Sequence, residues 1–178
     1  MEIYFVRHTS VDVPKGICYG STDVEVSSTF IEEASKVKKE LSNLKFDKVF
    51  SSPMKRAIKL ASYCGFSYAE IDSRLVEFNF GDWEMQSYDS LYRKDALFRI
   101  WCNNYLNVRC PNGDSLMDQI HRVKSFISDI YCKGYNCVCV FCHGGVLAIA
   151  QSISNKVRME DTFKKIPPYG SIIHCEFQ

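Results

Sequence analysis

Residues 137–153 read C-V-C-V-F-C-H-G-G-V-L-A-I-A-Q-S-I, and they set the reading of the whole chain. Cys137 to Phe141 is a short run of thiol, β-branched and aromatic side chains with no polar residue between them. A run that is apolar on both of its alternating faces predicts a strand buried on both sides, as in a parallel sheet. Gly144 and Gly145 then supply a tight turn, and Val146 to Ile153 predicts a helix. Ile3 to Val6 repeats the strand half of this unit and ends on Arg7 and His8. Phe46 to Phe50 repeats it again. Ser51, Ser52 and Pro53 follow, offering an N-cap serine and a proline suited to the first turn of a helix through Lys55, Arg56, Ile58 and Ala61.

Two longer periodic segments fill the gaps between these units. Between Ser27 and Leu44, Phe30, Ile31, Ala34, Val37, Leu41 and Leu44 recur at steps of three and four, with Glu and Lys on the other face. Leu116, Ile120, Val123, Ile127 and Ile130 repeat the pattern in a helix starting near Asp114 or Ser115, after the turn residues Pro111, Asn112 and Gly113. Both are amphipathic helices. A last strand is expected at Ser171 to Phe177. Strands alternating with helices predict an α/β sandwich around a largely parallel sheet, whose strand carboxyl ends are the usual place for a ligand. Residues 1–178 read as a single domain, with Gln86 to Arg109 as one helical insertion. The aromatics Tyr88, Tyr92, Phe98 and Trp101 in that insertion either form a lid over a pocket or pack as core, and aromatics at helical spacing are usually core.

Composition narrows the function. A chain of 178 residues with 46% hydrophobic and 24% charged side chains can bury one ordinary core, which excludes a disordered protein. Twenty-two Lys and Arg against 21 Asp and Glu leave a net charge of +1, so no broad field gathers nucleic acid or anionic lipid. Any positive charge that matters must be local. The opening M-E-I-Y-F-V-R-H is too short an apolar run for a signal peptide or a membrane span, and a cytoplasmic location is expected. Nine cysteines cannot all pair, and several lie inside apolar segments, which predicts reduced core thiols. Cys139 to His143 matches C-x-x-C-H, the attachment pattern of c-type haem, so an electron carrier is a rival reading. Against it, alternate strand residues point to opposite faces, which separates Cys139 from Cys142, and no second cysteine pair stands at zinc-site spacing. No metal or cofactor is expected.

The strand ends carry the chemistry. Arg7 and His8 follow the first strand, Arg56 lies one turn into the helix after the second, and His143 precedes the double glycine. Two guanidinium forks, with backbone N–H groups at a loop or helix start, suit the oxygens of a phosphate group. A turn-rich stretch at Gly20, Ser21, Thr22 and Asp23 reads equally as a surface turn or as a source of hydroxyl and N–H donors for a phosphate or its leaving group.

The stretches V-R-H-T at Val6 to Thr9, S-S-P-M-K-R-A at Ser51 to Ala57, L-V-E-F-N-F-G-D-W-E at Leu75 to Glu84 and C-H-G-G-V at Cys142 to Val146, in this order, resemble the histidine phosphatase, or phosphoglycerate mutase-like, superfamily. The resemblance spans nearly the whole chain and implies that family's three-layer α/β/α sandwich. It also implies that His8 is a phosphate-accepting nucleophile, that Arg7, Arg56 and His143 hold the phosphoryl group, and that Glu77 is the proton donor. Ser10, Gly20, Ser21, Thr22 and Gly144 fall where the family lines its substrate pocket. Thr9 and Ser10 stand where most members carry Gly and then Glu or Gln, and Cys142 replaces the usual Ser or Thr. The segment P-K-G-I-C-Y-G-S-T-D at Pro14 to Asp23, N-G-D-S at Asn112 to Ser115 and the compact length are most similar to the α-ribazole phosphatases of cobalamin nucleotide-loop assembly.

The implied partner is a small phosphomonoester. Phosphatases of other small metabolites and phosphoglycerate mutase share the frame, as would an inactive binding module, but a compact chain favours hydrolysis over intramolecular transfer. A neutral imidazole can attack phosphorus and form a phosphohistidine, splitting one hard displacement into two easier ones. Nearby arginines would keep His8 neutral, and an apolar pocket around Glu77, flanked by Phe78, Phe80 and Trp83, would let its carboxyl group give a proton to the leaving alkoxide.

Overall fold

The computed structural model describes residues 1–177. In chain order its elements are β1 (Glu2–Arg7), β2 (Ile17–Cys18), α1 (Phe30–Leu41), β3 (Lys48–Ser51), α2 (Lys55–Tyr63), β4 (Glu70–Ile71), β5 (Gln86–Ser87), α3 (Tyr88–Lys94), α4 (Ala96–Asn104), α5 (Leu116–Cys132), β6 (Cys137–Cys142), α6 (Gly144–Ile153) and β7 (Ile172–Glu176). Five strands form one sheet in the order β4-β3-β6-β1-β7, while β2 and β5 pair as a separate two-stranded ribbon.

The apolar alternation of β1, β3 and β6 splits the core in two. Ile3, Phe5, Phe50, Val138, Val140 and Cys142 face α5 and α6. Val6, Val49, Cys139 and Phe141 face α1 and α2. Helices therefore cover both faces of the sheet, and the architecture is the three-layer α/β/α sandwich. Cys139 and Cys142 lie on opposite faces, so the C-x-x-C-H stretch does not gather its two thiols, and all nine cysteines are free. No described helix is long and apolar enough to cross a membrane.

β4, β3, β6 and β1 are parallel, and β7 runs antiparallel to β1 from Val6–Ile172 to Glu2–Glu176. The reversal follows from the path before it. α6 descends from the carboxyl ends of the strands, and residues 154–171 climb back to that end, where the Arg7 N–H donates to the Ser171 carbonyl. A strand starting there can only run down beside β1.

Of two helix starts, α5 follows the sequence expectation and α2 departs from it. α5 begins on a capping box formed by Ser115 and Asp118, as the turn residues before it indicated. α2 begins at Lys55, beyond Pro53, and its first N–H is capped at 2.9 Å by Asp23 from a distant loop. The Ser52 hydroxyl is held instead by His143. Residues 88–104 fold as two short helices, and a third apolar cluster gathers Phe98 and Trp101 with Phe78, Phe80 and Trp83.

Candidate active site

Parallel register brings three strand ends to one level. Arg7 pairs with Cys142 and Ser51 with Phe141, so His8, His143 and Ser52 emerge side by side. The two imidazoles meet edge to face with centroids 5.2 Å apart, and both are buried. His8 Nδ1 lies 2.7 Å from the Thr9 carbonyl oxygen. A carbonyl can only accept, so Nδ1 carries the proton and Nε2 keeps its lone pair. Burial holds the His8 pKa well below the ordinary histidine value, and the Arg56 and Arg7 charges push it the same way. Burial is thus the larger cause of the neutral imidazole that the arginines alone were expected to give. His143 is lowered likewise, by burial first, then by Arg56, His8 and Arg7. Its Nε2 lies 2.7 Å from the Ser52 hydroxyl, and its buried Nδ1 has no hydrogen-bond partner.

Arg56 is fully buried, and its two terminal nitrogens donate at 2.8 Å to the carbonyls of Thr22 and Gly20. Arg7 donates to the Pro167 carbonyl, and its guanidinium lies 4.1 Å from the Tyr169 ring centroid. Among the described residues, neither arginine has a carboxylate partner, and the buried Nε of each makes no hydrogen bond. A fully buried guanidinium and a half-buried one without a carboxylate partner are costly, and an anion between them satisfies both.

The double glycine is needed for space. A Cβ on Gly144 would stand 2.9 Å from Arg7 Cζ, and one on Gly145 would stand 2.4 Å from Glu77 Oε1. Glu77 reaches the same place from the loop after Leu75. Its carboxylate accepts from the Gly145 N–H at 3.0 Å, from Gln119 Nε2 at 3.0 Å and from the Phe78 N–H at 2.8 Å. This corrects the apolar surround expected for it. Phe78 and Phe80 do line the adjoining cavity, but three N–H donors hold the carboxylate, and the Trp83 indole donates to Asp95 instead.

The 20–22 loop also departs from expectation. The Ser21 and Thr22 hydroxyls donate to the Glu84 carboxylate, and the Gly20 and Thr22 carbonyls are taken by Arg56. The loop positions an arginine; its hydroxyls are not free for a ligand. Ser10 lines the cavity, but its N–H is committed to Glu33 at 2.8 Å.

Beside Arg7 and Glu77 opens a cavity of about 540 Å³, walled largely by Val13, Ile17, Phe80, Tyr88, Trp101 and Phe163. Tyr88 and Trp101 thus face the cavity and Phe98 is core, while Tyr92 is exposed and fits neither reading. Over the site, the Tyr19 and Tyr169 hydroxyls meet at 2.9 Å, Tyr19 spanning Arg56 and Tyr169 spanning Arg7. Sequence reasoning missed Tyr19, Tyr169, Gln119, Glu84 and the bond from Ser52 to His143. Glu84 lay in the L-V-E-F-N-F-G-D-W-E stretch, Tyr19 in P-K-G-I-C-Y-G-S-T-D and Ser52 in S-S-P-M-K-R-A, while Tyr169 and Gln119 had no signal.

A family model described as the histidine phosphatase superfamily, branch 1, matches residues 3–178. A Hydrogenobacter thermophilus protein provisionally named phosphoserine phosphatase 2 is 30% identical over 152 residues, 82% of this chain and 74% of that one. The adenosylcobalamin/alpha-ribazole phosphatase of Escherichia coli is 28% identical over 156 residues, covering 84% of this chain and 76% of the relative. The crystal structure of the alpha-ribazole phosphatase from Shigella flexneri superposes with a TM-score of 0.88 at 23% identity, over 100% of this chain and 91% of that one, which is a likeness of fold.

Proposed function

The chain belongs to the histidine phosphatase superfamily, and we propose that it is a phosphomonoesterase that forms a phosphohistidine on His8 and acts on α-ribazole 5′-phosphate. The observation that carries the reading is the pair of guanidinium groups without carboxylate partners beside a neutral imidazole whose Nε2 keeps its lone pair. His8 Nε2 attacks phosphorus while Arg7, Arg56 and His143 hold the equatorial oxygens, and Glu77, entering the step in its protonated carboxyl form, gives its proton to the leaving oxygen. Water then attacks the phosphohistidine, Glu77 takes its proton, and inorganic phosphate leaves with His8 restored.

The cavity favours α-ribazole over serine as the leaving group. A benzimidazole riboside is a flat aromatic body that matches walls of Ile17, Phe80, Tyr88 and Trp101. The charged groups of phosphoserine could meet Lys15 and Glu77 at the cavity wall, but a serine side chain would leave the aromatic walls without contact.

Phosphate release from α-ribazole 5′-phosphate, phosphoserine, 3-phosphoglycerate and p-nitrophenyl phosphate tests both levels. Activity is expected to be highest on α-ribazole 5′-phosphate, unaffected by a chelator, and reduced at least about 10⁴-fold by His8→Ala. Activity that survives His8→Ala overturns the mechanism. Preference for phosphoserine overturns the substrate.

A further inference from the structure

The segment that carries Glu77 also carries Glu84, seven residues on, and this second carboxylate faces a different set of partners. Glu84 Oε1 accepts from the Ser21 N–H at 2.8 Å, the Ser21 hydroxyl at 2.9 Å and the Phe80 N–H at 3.0 Å. Its Oε2 accepts from the Thr22 hydroxyl. Three of these four donors belong to the 20–22 loop, and the fourth ties the carboxylate to its own segment.

The other side of that loop is committed to one group. The carbonyls of Gly20 and Thr22 each accept from Arg56 at 2.8 Å, and Asp23 caps the helix that bears Arg56. Those two carbonyls are the only hydrogen-bond partners among the described residues that orient this buried guanidinium, whose Nε is unpartnered. The join is tight. Gly20 sits at φ +39°, and a Cβ there would stand 2.5 Å from Glu84 Oε1 and 2.6 Å from the Phe78 carbonyl oxygen.

We propose that Glu84 is a positioning residue for phosphoryl transfer: by holding the Gly20–Thr22 loop, it aims the loop's carbonyls, and through them Arg56, at the phosphoryl group. This rests on the reading that Arg56 binds that group. Glu84 touches no substrate atom. Its effect is orientation, and a misplacement of about 1 Å in a group that meets the transition state can lower the rate about 10²-fold.

The test is a double-mutant cycle between Glu84→Ala and Arg56→Lys, read as kcat/KM on p-nitrophenyl phosphate and as orthovanadate inhibition. In the unaltered background, Glu84→Ala is expected to lower kcat/KM by about 10²-fold and to weaken orthovanadate comparably. In the Arg56→Lys background the same change should cost less than about threefold, because the fork being aimed is gone. Glu84→Gln, whose amide oxygen still accepts from Ser21, should recover part of the loss. Equal losses in both backgrounds would overturn the proposal and leave Glu84 a purely structural residue. If Glu84→Ala does not fold, the paired substitution Ser21→Ala with Thr22→Val removes the hydroxyl donors instead and enters the same cycle with the same expected outcomes. An Arg56→Lys variant with undiminished orthovanadate affinity would overturn the phosphate-binding reading of Arg56, a failure distinct from additive losses around a functioning Arg56.

Discussion

The strand-end site and the cavity beside it share Arg7 and Glu77, yet they are assembled in opposite ways. At the strand ends, buried polar groups are fixed by backbone register: His8 and His143 follow adjacent parallel strands, and each sits within one residue of a paired position. The cavity wall draws Val13 from the loop after β1, Ile17 from β2, Phe80 from another loop, Tyr88 and Trp101 from α3 and α4, and Phe163 from the crossing to β7. Charge at a strand end can be written in two or three neighbouring residues. Shape cannot, because each wall residue becomes a neighbour only after several elements have packed. Substitutions in the first region should therefore act on every phosphomonoester alike, and those in the second on particular leaving groups.

The largest effect expected from this contrast is at Arg7. Replacing it with alanine should lower kcat/KM by about 10²–10³-fold on α-ribazole 5′-phosphate and p-nitrophenyl phosphate to the same extent, in steady-state assays of both. A loss confined to one substrate would break the division between the two regions. Glu77→Gln comes next and straddles them. It should slow turnover of alkyl phosphates about 10²-fold, leave p-nitrophenyl phosphate, whose leaving group needs no proton, within severalfold, and keep the phosphoenzyme detectable by rapid quench. Unchanged turnover of alkyl phosphates would remove Glu77 from proton transfer. On the cavity side, Tyr88→Ala should raise KM for α-ribazole 5′-phosphate about tenfold while leaving orthovanadate inhibition unchanged.

The smallest effect is on stability and sharpens the polar side alone. His8 and His143 have pKa values depressed by burial, so below the ordinary value of about 6.5 the unfolded chain binds protons that the folded one refuses. Stability should be intact above pH 6.5 and decline as the pH falls from there, by up to about 1.4 kcal/mol per pH unit for each histidine. Thermal midpoints at pH 7.5 and 5.5 should show the loss, and replacing His143 with Gln should reduce it.

The same contrast explains what could be read before folding. β1, β6 and their two histidines were legible because an apolar run that stops at a charged residue is a local signal. α1 and α5 were legible from their period, and α5 to within a residue of its cap, while the single insertion helix proved to be two. Ser52 was misread because a serine before a proline is a reasonable local cap, and only tertiary packing sets Asp23 at that helix start and turns Ser52 to His143. The Ser21 and Thr22 hydroxyls were misread for the same reason, since Glu84 lies more than sixty residues away. Tyr169, in P-P-Y-G, carried no signal at all, because its place over Arg7 depends on the path between α6 and β7. The antiparallel direction of β7 depends on that path too.

That path has a consequence for how the site comes into being. β1 holds Arg7 and pairs only with β6 and β7, both in the last third of the chain. During synthesis from the amino end, the segment bearing His8 is made first but has no strand beside it until residues 137–176 have been added. Helices α1 and α2 can form before residues 137–176 exist; the pairing that sets His8 beside His143 cannot. The site waits on pairings of long sequence separation, which form slowly. The two histidines and two arginines therefore come together only after β6 and β7 have been made.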